Sequence, residues 1–183
     1  VVPSQPSGLQ VGNTEAQTGT SGNPVSNIDL TPTFSALFAH PNAGMAATQV
    51  RLQVSTDSTF SAVTHWNSGK ISISPVLAGT RCGDVAYNGQ PLSGQQTYFW
   101  RCRFFAADGG ASEWSAVNAS FTTQAAPFAP VTLFVGSSEA QTGAQGNPIN
   151  LIDLNPAFSA IYSHQESGVP GTKVRFQVST DST

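Results

Sequence analysis

The sequence predicts an all-β protein, on the evidence of its turn residues, its alternating patterns and an internal repeat. Glycine and proline, 17 and 12 residues of 183, interrupt the chain throughout and favour short strands joined by turns. Apolar and polar residues alternate along the two clearest strand candidates, as in strands with one buried face. One block of sequence occurs twice, which indicates tandem copies of a small domain. A chain of this length has room for two such domains.

The first alternating segment, 49–55, carries Val50, Leu52 and Val54 on one side. The second, 98–105, is expected to place one set of side chains in the core and the other outside. The inward set is Tyr98, Trp100, Cys102 and Phe104, and the outward set is Phe99, Arg101, Arg103 and Phe105. Weaker strand candidates are 9–11, 33–38, 62–67, 85–87 and 114–121. Seven or so short strands at this spacing indicate a Greek-key β-sandwich, with a barrel as the alternative.

A tandem duplication is the strongest signal in the chain. Shifting the sequence by 124 positions aligns 11–59 with 135–183 without a gap, and 29 of the 49 positions are identical. We therefore expect a linker at 1–6, a complete domain at 7–123, a proline-containing linker at 124–130 and the N-terminal part of a second copy at 131–183. Half a sandwich leaves an apolar face uncovered, so we expect either a segment cut from a longer array or a second chain that covers the open half.

The second half of the first copy resembles a known family. Leu92 lies six residues before Tyr98, which is similar to the tyrosine corner of fibronectin type III domains. The segments 98–103, 108–110, 112–115 and 121–123 resemble the strands and turns that follow in bacterial repeats of that family. The resemblance implies a fibronectin type III or immunoglobulin-like Greek-key sandwich in tandem, in a secreted or cell-surface protein. The long segment 13–31 departs from the family pattern and is expected to form an extended edge against a neighbour.

Charge excludes several classes of partner. Only 9% of residues are charged and the net charge is -3, so the sequence offers no basic stripe for nucleic acid and no polybasic patch for anionic lipid. No run of 18 apolar residues is present, so we expect no membrane insertion in this segment. The start, without Met or a signal peptide, is interpreted as that of a processed or excised segment.

Cys82 and Cys102 are the two cysteines. Since the chain has no CxxC motif and no clustered histidine, we expect no metal site, and we favour a disulfide between the two. Such a bridge would indicate an oxidising compartment. The alternative is a buried free Cys102 and an unrelated exposed Cys82.

Few other residues indicate chemistry. His40, His65 and His164 lie in no catalytic motif and are expected in exposed loops, so we predict neither catalysis nor a cofactor. Asn118 fits the N-glycosylation sequon but lies on a predicted strand. Outward Arg101 and Arg103 beside Trp114 resemble half of the arginine–tryptophan ladder of receptor type III domains. Phe99, Phe105 and Phe128 are candidates for an apolar interface.

The leading functional hypothesis is a non-catalytic structural repeat, acting as a filament subunit, stalk or adhesin spacer that packs against neighbouring copies of itself. The alternative is a carbohydrate- or ligand-binding accessory module of a secreted enzyme or phage tail protein. Such a module would need a row of exposed aromatic side chains, for which Trp66, Phe99 and Trp114 are the candidates.

Overall fold

A computed structural model describes residues 1–12, 14–15, 24–115, 119–135, 138–139, 156–165 and 168–178. Every helix or strand element in these ranges is a β-strand, which confirms the predicted all-β class. The chain divides into two compact units, Val1–Gln124 and Ala125–Thr183.

The first unit is a sandwich of two sheets. One sheet has the order β2-β1-β4-β8, and the other has the order β3-β10-β9-β5-β6, with β7 also paired to β5. The ten strands are β1 Ser7–Val11, β2 Thr14–Glu15, β3 Val25–Ile28, β4 Thr33–Leu37, β5 Ala46–Ser55, β6 Trp66–Asn67, β7 Ile71–Leu77, β8 Val85–Ala86, β9 Thr97–Ala106 and β10 Ala119–Thr123.

The core lies between these sheets and follows the predicted alternation. β5 and β9 form the longest antiparallel pair, with Leu52 opposite Cys102 and Val54 opposite Trp100. The Phe34 ring of β4 lies 4.8 Å from that of Trp100 between ring centroids, and it contacts Phe121 as well. Because inward side chains on every second residue interdigitate with those of the facing sheet, the core closes without a helix. The fully buried side chains include Leu9, Phe34, Phe38, Leu52, Val54, Tyr98, Trp100, Phe104 and Phe121.

Two edge strands differ from the expectations. Within the segment 13–31, of which the structure describes only parts, β3 pairs in parallel with β10, and Ile28 is buried in the core of its own unit. That part of the segment therefore forms an edge strand of the sandwich itself. β7 was not among the predicted strands, and it lies beside β5 with Ser72 opposite Gln49.

The second unit contains three described strands, β11 Val131–Val135, β12 Ser138–Glu139 and β13 Phe158–Ile161. They form a sheet of order β12-β11-β13. Val135 is opposite Phe158, as Val11 is opposite Phe34 in the first unit. The two copies therefore share strand register as well as sequence.

Candidate functional site

The outward face of the larger sheet concentrates the positive charge of the first unit. On β5 and β9, Arg51 is directly opposite Arg103, and Gln53 is opposite Arg101. Residues 1–124 contain five Lys and Arg residues in all, and only Arg81 lies elsewhere. We call this surface the cation face, and define it as Arg51, Lys70, Arg101 and Arg103 together with the rings of Phe60, Phe105 and Trp114.

Trp114 is the centre of the cation face. The guanidinium carbons of Arg101 and Arg103 lie 4.5 Å and 4.7 Å from its ring centroid, and that of Arg51 lies 5.7 Å away. All three distances are within the range of a cation–π interaction. The arginine and tryptophan side chains that the sequence suggested as a ladder therefore do form one stack.

A tight turn around Asp57 adds the ring of Phe60 to this stack. Asp57 accepts hydrogen bonds from the Thr59 and Ala62 amides at 2.8 and 3.0 Å and from two hydroxyls, of Thr59 and Ser61. These bonds favour the ionised carboxylate and hold the pKa of Asp57 well below its ordinary value. The turn keeps Phe60 at a φ of 55°, and its ring centroid lies 4.4 Å from the Arg101 guanidinium carbon.

Phe105 does not form the exposed interface that the alternation suggested. Its side chain is only 5% exposed, because the Lys70 ammonium lies 4.4 Å from its ring centroid and Arg103 covers it at 5.3 Å. Phe99 is half-buried, and Phe128, in the second unit, is 55% exposed. The structure does not gather the three phenylalanines into one exposed patch, since Phe105 is covered.

The hydrogen-bond partners of these arginines are neutral. Arg51 Nε donates to Asn67 Oδ1 at 3.0 Å, and Arg101 Nε donates to Gln53 Oε1 at 2.8 Å. Arg103 Nε is buried and has no hydrogen-bond partner among the described residues. Burial, followed by repulsion from Arg103 and Arg51, lowers the pKa of Arg101. The cation face is thus a set of like charges without a carboxylate partner in the described part of the chain.

A second candidate site is an open cleft of about 560 Å³ between the β6–β7 edge of one sheet and β8 of the other. Hydroxyl, amide and carboxylate groups lie beside apolar side chains in it, a combination that suits a polar ligand with apolar faces. Asp84 is the one acidic residue of the lining. The lining residues are Trp66, Ser68, Ile71, Ser72, Ile73, Ser74, Gly83, Asp84, Val85, Ala86 and Asn88.

The predicted row of exposed aromatic side chains is not formed. Trp66 is buried against Phe34 and Tyr87 and reaches only the wall of the cleft. Trp114 is covered by guanidinium groups on the cation face. A flat aromatic platform for a sugar ring is therefore absent from these positions.

Leu92 and Tyr98 are the residues of the predicted tyrosine corner. Both side chains are buried, and the Ser93 amide donates a hydrogen bond of 2.9 Å to the Tyr98 hydroxyl. The bond joins the strand β9 to the turn that precedes it.

Cys82 and Cys102 are buried free thiols in the structure instead of the predicted disulfide. Cys82 lies beside β4, where its Sγ accepts a hydrogen bond from the Ala36 amide at 3.4 Å, and Cys102 faces the core from β9 in the other sheet. Burial raises the pKa of both thiols, and the nearby Cys82 adds to the effect at Cys102. Each thiol fills the core as a small apolar group.

His40 is buried, contrary to the expected loop exposure. Its Nε2 lies 3.0 Å from the Val1 carbonyl oxygen, and its Nδ1 accepts from the Asn42 amide at 3.0 Å. His164 makes the equivalent contact in the second unit, 2.8 Å from the Ala125 carbonyl oxygen. Each contact ties the first residue of a unit to the loop after β4 or β13, which is a structural role.

The remaining candidates add no site. Asn118 lies outside the described residues. The described parts of the chain hold no cluster of three or more His, Cys, Asp or Glu side chains suited to a metal ion. In those same parts, no helix has the length and apolar character that crossing a membrane requires.

Comparison with known proteins identifies the first unit. Residues 14–125 match the model of a family described as the Rha78A-like, N-terminal immunoglobulin domain. The chain belongs to this family. The Rha78A-like match supports the immunoglobulin-like sandwich and is not specific for fibronectin type III, so the recognised fold is the broader of the two.

The relatives of this Rha78A-like domain are parts of glycosidases. An α-L-rhamnosidase of Streptomyces avermitilis is 43% identical over 79 residues, which cover 43% of this chain and 7% of the enzyme. The crystal structure of Streptomyces avermitilis α-L-rhamnosidase complexed with L-rhamnose matches with a TM-score of 0.51 at 27% identity, over 66% of this chain and 10% of that one. The chain therefore spans a small fraction of the enzymes that it resembles.

A third comparison concerns the fold alone. The structure of α-L-rhamnosidase from Dictyoglumus thermophilum matches with a TM-score of 0.51 at 22% identity, over 76% of this chain and 15% of that one. The family match and the Streptomyces avermitilis relatives favour the accessory module of an enzyme over the filament or adhesin repeat.

Proposed function

We propose that this chain is a non-catalytic accessory module of a secreted α-L-rhamnosidase-type glycoside hydrolase, and that its first unit holds carbohydrate beside the catalytic part. The observation that carries the proposal is the family match over residues 14–125. The relatives named above are enzymes many times longer than the matched region, so the rest of each enzyme is available for catalysis.

The cleft supports a binding role more than a catalytic one. Glycoside hydrolysis ordinarily needs two carboxyl groups, roughly 5 to 10 Å apart, on either side of the scissile bond. Asp84 is the single carboxylate in the lining of the cleft. Serine hydroxyls on β7 and the amide of Asn88 instead offer donors and acceptors to sugar hydroxyls, next to the apolar surface of Ile71 and Ile73.

The experiment has two parts. Residues 1–183 are first assayed with 4-nitrophenyl α-L-rhamnoside, and we expect no release of 4-nitrophenol. Binding of the same compound and of L-rhamnose is then measured by isothermal titration calorimetry. The Ser72→Trp substitution, which places an indole in the cleft, is expected to abolish binding.

Ser26→Trp is the matched control, because Ser26 is exposed on β3 and does not line the cleft. Hydrolysis by the chain would contradict the non-catalytic role. Equal binding by both variants would contradict the assignment of the cleft, and the absence of any binding would favour a purely structural module.

The spacer or filament role is the weaker candidate. It predicts partners that are neighbouring copies of the same repeat, and it is supported by the duplication of 11–59 at 135–183. Self-association of residues 1–183 in sedimentation velocity measurements would favour it.

A further inference from the structure

We propose that the cation face binds carboxylate-bearing carbohydrate, such as a uronic acid polymer, at a position distinct from the cleft. This inference rests on the proposed function in one respect, that the natural partner is a carbohydrate. The observation behind it is the juxtaposition of Arg51, Arg101 and Arg103 around Trp114, with Lys70 at the rim.

Charge is the first argument. Like charges directly opposite on neighbouring strands destabilise a sheet, and Arg51 is directly opposite Arg103. The chain as a whole has a net charge of -3, yet four of the five Lys and Arg residues in 1–124 lie together. The two hydrogen bonds of their Nε groups go to the neutral amides of Gln53 and Asn67. A bound anion would offset the repulsion that the described part of the chain leaves uncompensated.

Geometry is the second argument. The stacking contacts with Trp114 and Phe60 fix the guanidinium planes of Arg101 and Arg103, so less side-chain entropy is lost on binding than with free arginines. Within the described residues, no partner occupies the terminal nitrogens of Arg51, Arg101 and Arg103. Guanidinium groups bind carboxylates through paired N–H···O hydrogen bonds, which suits a planar carboxylate on a sugar ring.

The surface also disfavours a protein partner. Hot spots of protein interfaces are enriched in Trp, Tyr and Arg side chains that insert into well-packed, desolvated pockets of the partner. On the cation face Phe60 and Phe105 are buried, and cations cover Trp114. What the surface presents is a cluster of cations around Trp114, which suits an anionic polymer better than an apolar protein patch.

Affinity electrophoresis of residues 1–183 in native gels containing polygalacturonate tests the proposal. We expect polygalacturonate to retard the protein and neutral dextran to leave it unchanged. Added salt should weaken the retardation, because the Debye length falls from about 10 Å at 0.1 M to about 3 Å at 1 M. Arg51→Gln and Lys70→Gln should each weaken binding by roughly two- to fivefold.

Arg81→Gln is the matched control. It removes the same charge from Arg81, which hydrogen-bonds Ser35 on the other sheet, and is expected to leave the retardation unchanged. The exposed Lys70 variant keeps the test valid if Arg51→Gln unfolds, and thermal melting checks the fold of each variant. Equal losses at Arg81 and at the cation face would overturn the proposal, because they would indicate attraction by net charge alone.

Two further outcomes would also overturn it. Retardation by poly-glutamate as strong as that by polygalacturonate would indicate an acidic protein partner. No retardation by polygalacturonate would exclude this ligand class. Either result is independent of the cleft, because binding of L-rhamnose and its sensitivity to Ser72→Trp are measured separately.

Discussion

Tyr98 is tied to the turn before its strand by one hydrogen bond, and the bond can be removed without changing the shape of the ring. In Tyr98→Phe the Ser93 amide loses its 2.9 Å acceptor, while the ring contact with Phe121 is kept. We expect the free energy of unfolding to fall by about 1 kcal/mol. Urea denaturation of residues 1–183 measures this change. The slope of the free energy of unfolding against urea concentration should stay the same.

Tyr87→Phe is the control for that substitution. The Tyr87 hydroxyl donates to the Gln90 carbonyl at 2.6 Å at an exposed position, where water replaces the lost donor. Tyr87→Phe should therefore lower the free energy of unfolding by less than Tyr98→Phe does. Equal losses of unfolding free energy in the two variants would show that the Tyr98 hydrogen bond stabilises the fold no more than an exposed one does.

The two thiols make a prediction about reactivity. Thiolates are the reactive form of cysteine, and burial raises the pKa of Cys82 and of Cys102, so both should resist alkylation in the folded protein. In denaturant without reductant, mass spectrometry after iodoacetamide treatment should find two alkylated cysteines per chain. An unmodified chain that is lighter by two hydrogens would instead reveal the disulfide that the sequence suggested.

At the scale of single elements, the turn after β5 is expected to make the stability of the first unit sensitive to acid. The ordinary pKa of an aspartate is 3.8, and the folded turn holds that of Asp57 far below this value. The stabilisation is therefore fully present above 3.8 and is lost as the pH falls through that value toward the lower folded pKa. Asp57→Asn should lower the free energy of unfolding at neutral pH and flatten its decline in acid.

Denaturation of the wild type and of Asp57→Asn at a series of pH values from neutrality to below the ordinary aspartate pKa of 3.8 tests this. Asp29→Asn, at an exposed position outside the turn, is the control and should keep the decline of the wild type. The near-ultraviolet circular dichroism of Asp57→Asn should also change, because the turn positions Phe60 over Arg101. A decline in acid as steep as that of the wild type would show that Asp57 is not its source.

Strand alternation predicted the inward side of β9 correctly, because whether a residue faces in or out depends only on its place in the strand. Alternation could not predict whether the outward side chains are exposed or covered by other residues. Phe105 faces outward yet is buried, since Lys70, in the loop before β7, covers it. Alternation also could not place Phe60, which reaches Arg101 from a loop distant in sequence. The stacking of Arg101 on Trp114 followed instead from the family resemblance.

Edge strands were harder to predict than central ones. β7 has the alternating pattern Ile71-Ser72-Ile73-Ser74, which was the available signal, but Pro75 argues against a strand interior. The pairing of β3 with β10 joins segments about a hundred residues apart, and no local pattern encodes such a contact. The cleft lies at the edge that β7 forms, so the sequence did not reveal it.

At the scale of the whole molecule, the two units differ in how far they bury equivalent apolar side chains. Phe34, Val50 and Leu52 are buried in the first unit. The corresponding side chains of the second unit, Phe158, Val174 and Phe176, are 38%, 67% and 46% exposed. The strands β5 to β10 that close the first core have no counterpart among the described strands of the second unit.

This difference predicts unequal stability when the units are separated. Residues 1–124 alone should unfold in one cooperative transition, because their core is closed by both sheets. Residues 125–183 alone should show no cooperative transition, because three short strands with an open apolar face are marginal in water. Circular dichroism thermal melts of the two fragments and of residues 1–183 test this, with the full chain expected to melt at the temperature of fragment 1–124. A sharp independent melt of 125–183 at a concentration where sedimentation shows a monomer would mean that the second unit closes its own core.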